Sequence, residues 1–290
     1  MSIKNSELIL NPDGSIYHLN LKPEHIAETI ILVGDQDRVE KVSKHFDSIE
    51  FTTQKREFKT HTGFYKGKRL SVVSTGIGPD NIDIVLNELD ALANIDFETR
   101  TPKSNLTSLN FIRIGTSGTL QNDIPLDAFV LSTHGLDLNG MLHNYQLDNI
   151  TSPDIEQAFI EHTKWPSFKS KPLIITCSPV LEKHFSNHHI YHGMTVTASG
   201  FYGPQGRVLR LALQDNELNS KIETFNYQDV RATNLEMETS AIYGLAKLMG
   251  HHALSLNAII SNRSHGSFSK NPGQTIENLI LYTLDKLTEA

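Results

Sequence analysis

The feature that most constrains this chain is its alternation of short apolar runs with segments whose apolar residues recur at helical spacing. Thr29 to Val33, closed by Gly34, has the make-up of a buried strand. From Asp37 onward, Val39, Val42 and Phe46 fall on one face of a helix. Residues 58–76 hold two alternating stretches around Gly67, the pattern of a hairpin. A helix from about Asp80 to Ile95 follows, with Ile84, Leu86, Leu89, Leu92 and Ala93 as its apolar stripe. Strands are predicted again at Phe111–Gly115, Ala128–Thr133, Leu173–Thr176, Met194–Ala198 and Ala253–Ser261. Helical patterns occupy 154–164, 206–214, 236–249 and 273–287, and the polar stretch from Phe97 to Ser108 reads as a surface loop. Such alternation predicts an α/β fold with a largely parallel or mixed sheet. With no linker and no internal repeat, residues 1–290 read as a single domain.

Charge and cysteine usage narrow the class. A net charge of -7 argues against a general affinity for nucleic acid or acidic lipid, while leaving room for a local arginine cluster. The single cysteine, Cys177, rules out an internal disulfide framework. At the end of Ile174-Ile175-Thr176 it reads as a buried structural thiol. The first residues show no basic start followed by an apolar run, and the apolar stretches are far too short to span a membrane. A cytoplasmic protein is expected. His184, His188, His189 and His192 have no local carboxylate or Cys partner and fit no compact zinc spacing, so no metal site is expected.

Four segments carry chemistry. Gly34-Asp35-Gln36-Asp37-Arg38 joins a strand to a helix. Its glycine lets backbone N–H groups approach a ligand, and the helix N-terminus and the Arg38 fork suit phosphate. The same turn also suits an ordinary strand-to-helix connection. Phe111-Ile112-Arg113-Ile114-Gly115-Thr116-Ser117-Gly118 sets an arginine inside an apolar strand, which is costly unless the charge meets a partner. Small residues and hydroxyls follow at the strand end, where α/β folds bind ligands. An arginine emerging from an edge strand is the alternative. Arg56, in Lys55-Arg56-Glu57-Phe58, is a further anion ligand or a surface charge.

In Phe201-Tyr202-Gly203-Pro204-Gln205-Gly206-Arg207, a turn projects Gln205 and Arg207 together. A Gln amide matches the N3–H and a carbonyl of uracil, and Arg supplies donors to the other carbonyl. A generic polar loop has similar composition. Asn234-Leu235-Glu236-Met237-Glu238 precedes a helical pattern, where Glu238 can accept from a sugar diol and Met237 can pack beneath the ring. Paired acids at such a place also serve simply to complement the helix dipole.

In this order and spacing, the G-D-x-D-R turn, R-E-F, S-T-G-I-G (Ser74 to Gly78), R-I-G-T, F-Y-x-x-Q-x-R and E-M-E resemble the uridine phosphorylase branch of the nucleoside phosphorylase superfamily. The resemblance runs from His18 to Asn262-Arg263. It implies a single α/β domain around a mixed, barrel-like central sheet flanked by helices, assembled as a homodimer or hexamer. It implies phosphorolysis of uridine to uracil and ribose 1-phosphate, with inorganic phosphate as co-substrate and no other cofactor. Gly34, Arg38, Arg113 and Thr116 match phosphate ligands. Arg56 and His18 match residues that enter a neighbouring subunit's site, for phosphate and the ribose 5′-hydroxyl. Met237 and Glu238 match ribose positions, Gln205 and Arg207 uracil-reading positions, and Phe201 a base-stacking position. Arg113, Arg207 and Glu238 are the residues expected to carry catalysis.

The chain departs from the family's pattern in places. Leu235 stands where an aromatic residue is common, Ser261 where an apolar one is, and Gly78-Pro79-Asp80-Asn81 differs in a segment tied to monovalent-cation binding. Purine members carry Asp where Asn262 stands, which favours a pyrimidine substrate. A purine nucleoside phosphorylase, a water-using nucleosidase and a non-catalytic nucleoside-binding protein are the competing readings.

Overall fold

The computed structural model describes residues 2–147 and 149–289. The chain enters through a fully buried strand, β1 (Thr29–Val33), and turns at Gly34 into helix α1 (Gln36–Ser43), whose first turn is capped by the Asp35 carboxylate accepting from the Asp37 N–H at 3.0 Å. An antiparallel meander follows: β2 (Ser48–Lys55), β3 (Phe58–Tyr65) and β4 (Lys68–Ser74). Helix α2 (Pro79–Asn94) then buries Ile82, Val85, Leu86, Leu89 and Leu92. It ends in a short hairpin of two-residue strands, β5 (Ile95–Asp96) and β6 (Thr101–Pro102), of which β6 falls inside the stretch expected to be loop.

The second half supplies β7 (Asn110–Thr119), β8 (Phe129–Asp137), α3 (Pro153–Thr163), β9 (Leu173–Thr176), α4 (Pro179–Phe185) and β10 (Tyr191–Thr197). It continues with α5 (Leu218–Thr224), β11 (Asn226–Tyr227), β12 (Val230–Glu236), α6 (Thr239–Leu248), β13 (His252–Asn262), β14 (Ser267–Phe268) and α7 (Pro272–Thr288). One mixed sheet runs in the order β11-β12-β10-β8-β13-β7-β1-β4-β3-β2, and an extra pairing of β12 with β7 closes five of its strands into a barrel. Strand β7 is the joint. Its first half pairs with β1 in the open sheet, and Gly118 and Thr119 pair with Leu235 and Asn234 across the closure. The expected single α/β domain with a barrel-like mixed sheet is what the chain forms.

Two expectations from the sequence fail. Residues 206–214 are irregular rather than helical, with Val208, Leu209 and Leu211 exposed; the helix comes later, at α5. A short apolar stripe makes a stable helix by burying itself, and this one meets no core. Residues 236–249 were expected to be helical throughout, but Glu236 ends β12 and Glu238 is the N-cap of α6. Strand β12 escapes the pattern because its buried residues are largely polar and a register shift at Thr233 breaks the alternation: Thr233, Asn234 and Glu236 are buried with Thr195, Thr197, Ser132 and Asn257. The apolar packing lies outside the barrel, where Leu136, Met194, Val196 and Leu235 meet Phe159, Ile222 and Phe225. A larger cluster joins β1, β4, β7 and β13 to α1, α2, α6 and α7. Among the described residues, no helix is long and apolar enough to cross a membrane.

Candidate active site

The carboxyl ends of β1, β7 and β12 open into one cavity of about 280 Å³, walled by Gly34, Arg38, Arg113, Thr116, Phe201, Gln205, Arg207, Met237 and Glu238, among others. Residues far apart in sequence converge because strand ends of the joint between sheet and barrel meet there.

Arg113 answers the question its sequence position poses. Only 6% exposed, it meets Glu238 at 2.5 Å and Glu236 at 3.3 Å, and donates to the Asn257 side-chain Oδ1 at 3.1 Å. Burial by itself would lower its pKa, but Glu236 and Glu238 outweigh that and hold it above the ordinary arginine value. The guanidinium lies back along its own strand, over Gly115, two residues on and on the same face. A Cβ at Gly115 would stand 1.7 Å from Arg113 Nη1, so the glycine is the slot in which the arginine rests.

A chain of buried polar side chains fixes the far side. Asn257 donates to Ser132, Ser132 bonds Thr195, Thr195 donates to Asn234, and Asn234 donates to Ser117 at 2.8 Å. Each member has a partner, which is what a buried network needs to orient a charge rather than destabilise the fold. Arg38 reaches the same region from α1, where its Nη1 donates to the Ile114 carbonyl at 3.3 Å. Burial, reinforced by Arg113, lowers its pKa. No carboxylate lies within ion-pair distance of Arg38 among the described residues; Glu236 and Glu238 both pair with Arg113.

The acids are held from behind. Glu236 accepts from Thr197 at 2.8 Å and from the Glu238 and Thr239 backbone N–H groups at 2.9 Å, capping α6 with its side chain. Burial, its largest influence, raises the Glu236 pKa; Arg113 opposes and Glu238 adds to it. Glu238 turns the other way, accepting the Gly78 N–H at 2.8 Å. Gly78 has φ of +97°, a backbone that a side chain would strain, and this turn aims its N–H at the carboxylate.

The remaining wall is a loop. Arg207 donates to the Phe201 carbonyl at 2.6 Å and to Gln205 Oε1 at 2.7 Å, and lies over the Phe201 ring at 3.8 Å. Gln205 is 2% exposed and Phe201 51%. The Arg207 bond fixes which way the Gln205 amide points, leaving its NH₂ group and one lone pair for a ligand.

Not every expected residue comes here. His18 and Arg56 do not line the cavity. They lie near one another instead: Lys55, next to Arg56, donates to the Tyr17 carbonyl at 2.5 Å, and the His18 and Phe58 rings are 6.3 Å apart. Asn262 also stays away. Its amide donates to the Gln121 and Ile124 carbonyls at 3.2 Å and accepts from Ser264 at 3.0 Å, so it anchors the chain behind the cavity wall. Its neighbour Ser261 faces the cavity. Arg263, to which sequence reasoning gives no role, lies against Gly118 with its Nη1 buried and unpaired among the described residues. Burial, then the nearby Arg207 charge, pushes its pKa down to about 10. Cys177 is inert by contrast: burial pushes the thiol above its ordinary value, as a structural role requires.

Comparison with known proteins identifies the family and the fold. Residues 28–280 match the family model of the phosphorylase superfamily. The chain is 28% identical over 264 residues to a uridine phosphorylase of Thermococcus kodakarensis, covering 89% of this chain and 81% of that protein. It is also 28% identical over 241 residues to a DeoD-type purine nucleoside phosphorylase of Bacillus cereus, covering 82% and 83%. The crystal structure of a Trypanosoma brucei nucleoside phosphorylase showing uridine phosphorylase activity superposes with a TM-score of 0.88 at 27% identity, over 98% of this chain and 100% of that one. With a family match across most of its length and the same fold throughout, the chain belongs to the phosphorylase superfamily, as a pentosyltransferase of the uridine phosphorylase-like kind.

Proposed function

We propose that this protein cleaves uridine by phosphorolysis, yielding uracil and ribose 1-phosphate. One observation carries the reading: a single cavity joins Arg38, from the first turn of α1, and Arg113, from β7, to a Gln205–Arg207 pair on a loop. The first group suits a phosphate and the second suits the N3–H and carbonyls of uracil.

Breaking the glycosidic bond builds positive charge on the ribose and negative charge on the departing base. A site accelerates the step by stabilising those charges more than the bound nucleoside. In this reading Gly34, Arg38, Arg113 and Thr116 hold phosphate against C1′, from which it attacks with inversion. Glu238 accepts from the ribose hydroxyls, and Met237 packs beneath the sugar. Gln205 and Arg207 stabilise the leaving uracil while Phe201 stacks on it. Arg263, cationic and unpaired beside them, adds to the field at this end. No enzyme nucleophile or further cofactor is required; positioning and electrostatics carry the chemistry. The preference for uracil rests on Gln205 and Arg207, since Asn262 is engaged elsewhere.

His18 and Arg56 complete the neighbouring subunit's site in this reading. Their adjacency, away from their own cavity, supports it. The test is base release from uridine, thymidine, cytidine, inosine and adenosine, with and without phosphate. Uridine in phosphate should be the best substrate. Faster release from inosine would make this a purine enzyme, equal rates without phosphate a hydrolase, and no turnover a binding protein.

A further inference from the structure

The reading of His18 as a ligand to the neighbour's substrate leaves open what holds the ring in place, and the fold supplies a candidate. Glu88, in the third turn of α2, is the meeting point of three N–H groups from the segment that carries His18. Its carboxylate accepts the backbone N–H of His18 at 3.1 Å and of Leu19 at 2.8 Å, and contacts His18 Nδ1 at 2.7 Å. Its side chain is 13% exposed and that of His18 26%, so the carboxylate is sheltered and the ring remains partly exposed. From the other side, the Lys55 ammonium bonds the Tyr17 carbonyl and lies 4.4 Å from the centre of the Tyr17 ring. Helix α2 begins at the cavity, where Gly78 donates to Glu238, so the His18 clamp is built on an element already tied to the active site.

We infer that Glu88 is the positioning residue of His18: it fixes the ring's rotamer and places its hydrogen on Nδ1, so that Nε2 is presented as an acceptor for the hydroxyl of a nucleoside in the adjoining subunit. The chemistry follows from the donor count. A carboxylate only accepts, and two of its partners are backbone N–H groups. The ring nitrogen facing it therefore carries a hydrogen, and in the neutral imidazole the other nitrogen accepts. Glutamine cannot reproduce this, because its NH₂ group would face one of three donors. The relaxed arrangement keeps the backbone contacts with the amide oxygen and turns the NH₂ to Nδ1, which moves the ring hydrogen to Nε2.

This inference rests on the proposed contact of His18 with the ribose 5′-hydroxyl, and the experiment separates the two claims. Nitrogen NMR of ring-labelled histidine reports the tautomer of His18 without any substrate, in the assembled protein. In parallel, kcat/KM is measured for uridine and 5′-deoxyuridine on the wild type, His18→Ala and Glu88→Gln. We expect the Nδ1–H form in the wild type and the Nε2–H form in Glu88→Gln. Glu88→Gln should lower uridine kcat/KM about fivefold to tenfold, as for one lost hydrogen bond, and leave 5′-deoxyuridine within about twofold. If Glu88→Gln does not fold, Glu88→Asp retains the charge but draws it away from the ring, and should show the same selective loss.

An unchanged tautomer and an unchanged substrate ratio in Glu88→Gln, while His18→Ala alters the ratio, overturn the role of Glu88. Equal losses for both substrates reduce Glu88 to a structural brace and overturn it too. An unchanged ratio in His18→Ala overturns the reading of His18 itself, and the positioning role falls with it.

Discussion

The two halves of the cavity are built differently. Arg113, within β7, and Glu236 and Glu238, at the junction of β12 and α6, are at most 6% exposed and interlock with one another and with the polar barrel interior. Phe201, Gln205 and Arg207 stand on a loop with a single 3₁₀ turn, held chiefly by contacts among themselves, next to exposed Val208, Leu209 and Leu211. The first half is a preorganised charge arrangement, in which displacement of any member leaves another buried and unpaired. The second can be altered without disturbing the sheet. Under the proposed roles, the division separates phosphate and ribose from the base, and a loop on a rigid scaffold can change at little cost to stability.

The largest effect should come from Arg113. Arg113→Leu leaves two buried carboxylates without their cation, and an unfolding free-energy loss of about 3–5 kcal/mol is expected. If Arg113 holds phosphate as proposed, the substitution should also lower transition-state stabilisation by about 2–4 kcal/mol. Denaturant unfolding and kcat/KM for phosphate measure the two parts separately. A variant of normal stability would show that the strand-borne half is not an interlocked unit.

Gln205→Leu should act on the other half alone. A loss of about 1–3 kcal/mol in kcat/KM for uridine is expected from uracil groups left unpaired in a sheltered pocket. The dependence on phosphate and the unfolding midpoint should stay near wild type. An equal weakening of phosphate binding would join the two halves that the structure keeps apart.

Acidity offers a finer probe of the strand-borne half. Burial raises the Glu236 pKa, so the folded state holds that proton more tightly than the unfolded chain. This contribution favours the fold at low pH and is lost as pH rises from the ordinary carboxyl value through the higher folded one. In Arg113→Leu the attraction that restrains the shift is gone and the folded value climbs further. The stability gap between wild type and variant should therefore narrow by at least about 1 kcal/mol between pH values of roughly 8 and 5.5. Thermal melts at the two pH values give the answer, and a gap independent of pH would mean that Glu236 does not carry the penalty.

The smallest effect is expected at Leu209, which is 80% exposed. Leu209→Ser should change stability by no more than about 0.5 kcal/mol. A larger loss, accompanied by smaller species in sedimentation, would put this loop against another chain and make it less free than the comparison implies.

Much of this was legible in local sequence. The G-D-x-D-R turn, the arginine inside an apolar strand and the turn bearing Gln205 and Arg207 announce themselves within eight residues or fewer, and all three meet in one cavity. What escaped was written in no local pattern. Strand β12 lacks an apolar alternation because its inward face serves a polar barrel. The 206–214 segment has a helical spacing with no core to receive it. Asn262 reads in the sequence only as a residue that cannot protonate a purine, and nothing local shows that its amide bonds Gln121 and Ile124.

The sequence by itself determined the alternation of elements and the residue types that can hold an anion, a sugar and a base, because backbone periodicity and side-chain chemistry act over a few residues. Tertiary structure alone decided that Arg113 meets an acid 125 positions away, that Gly115 makes room for its guanidinium, and that Glu88 holds His18 across 70 positions. Pairing of charges and hydrogen bonds depends on distance in space, and where strands close into a barrel that distance bears no relation to separation along the chain.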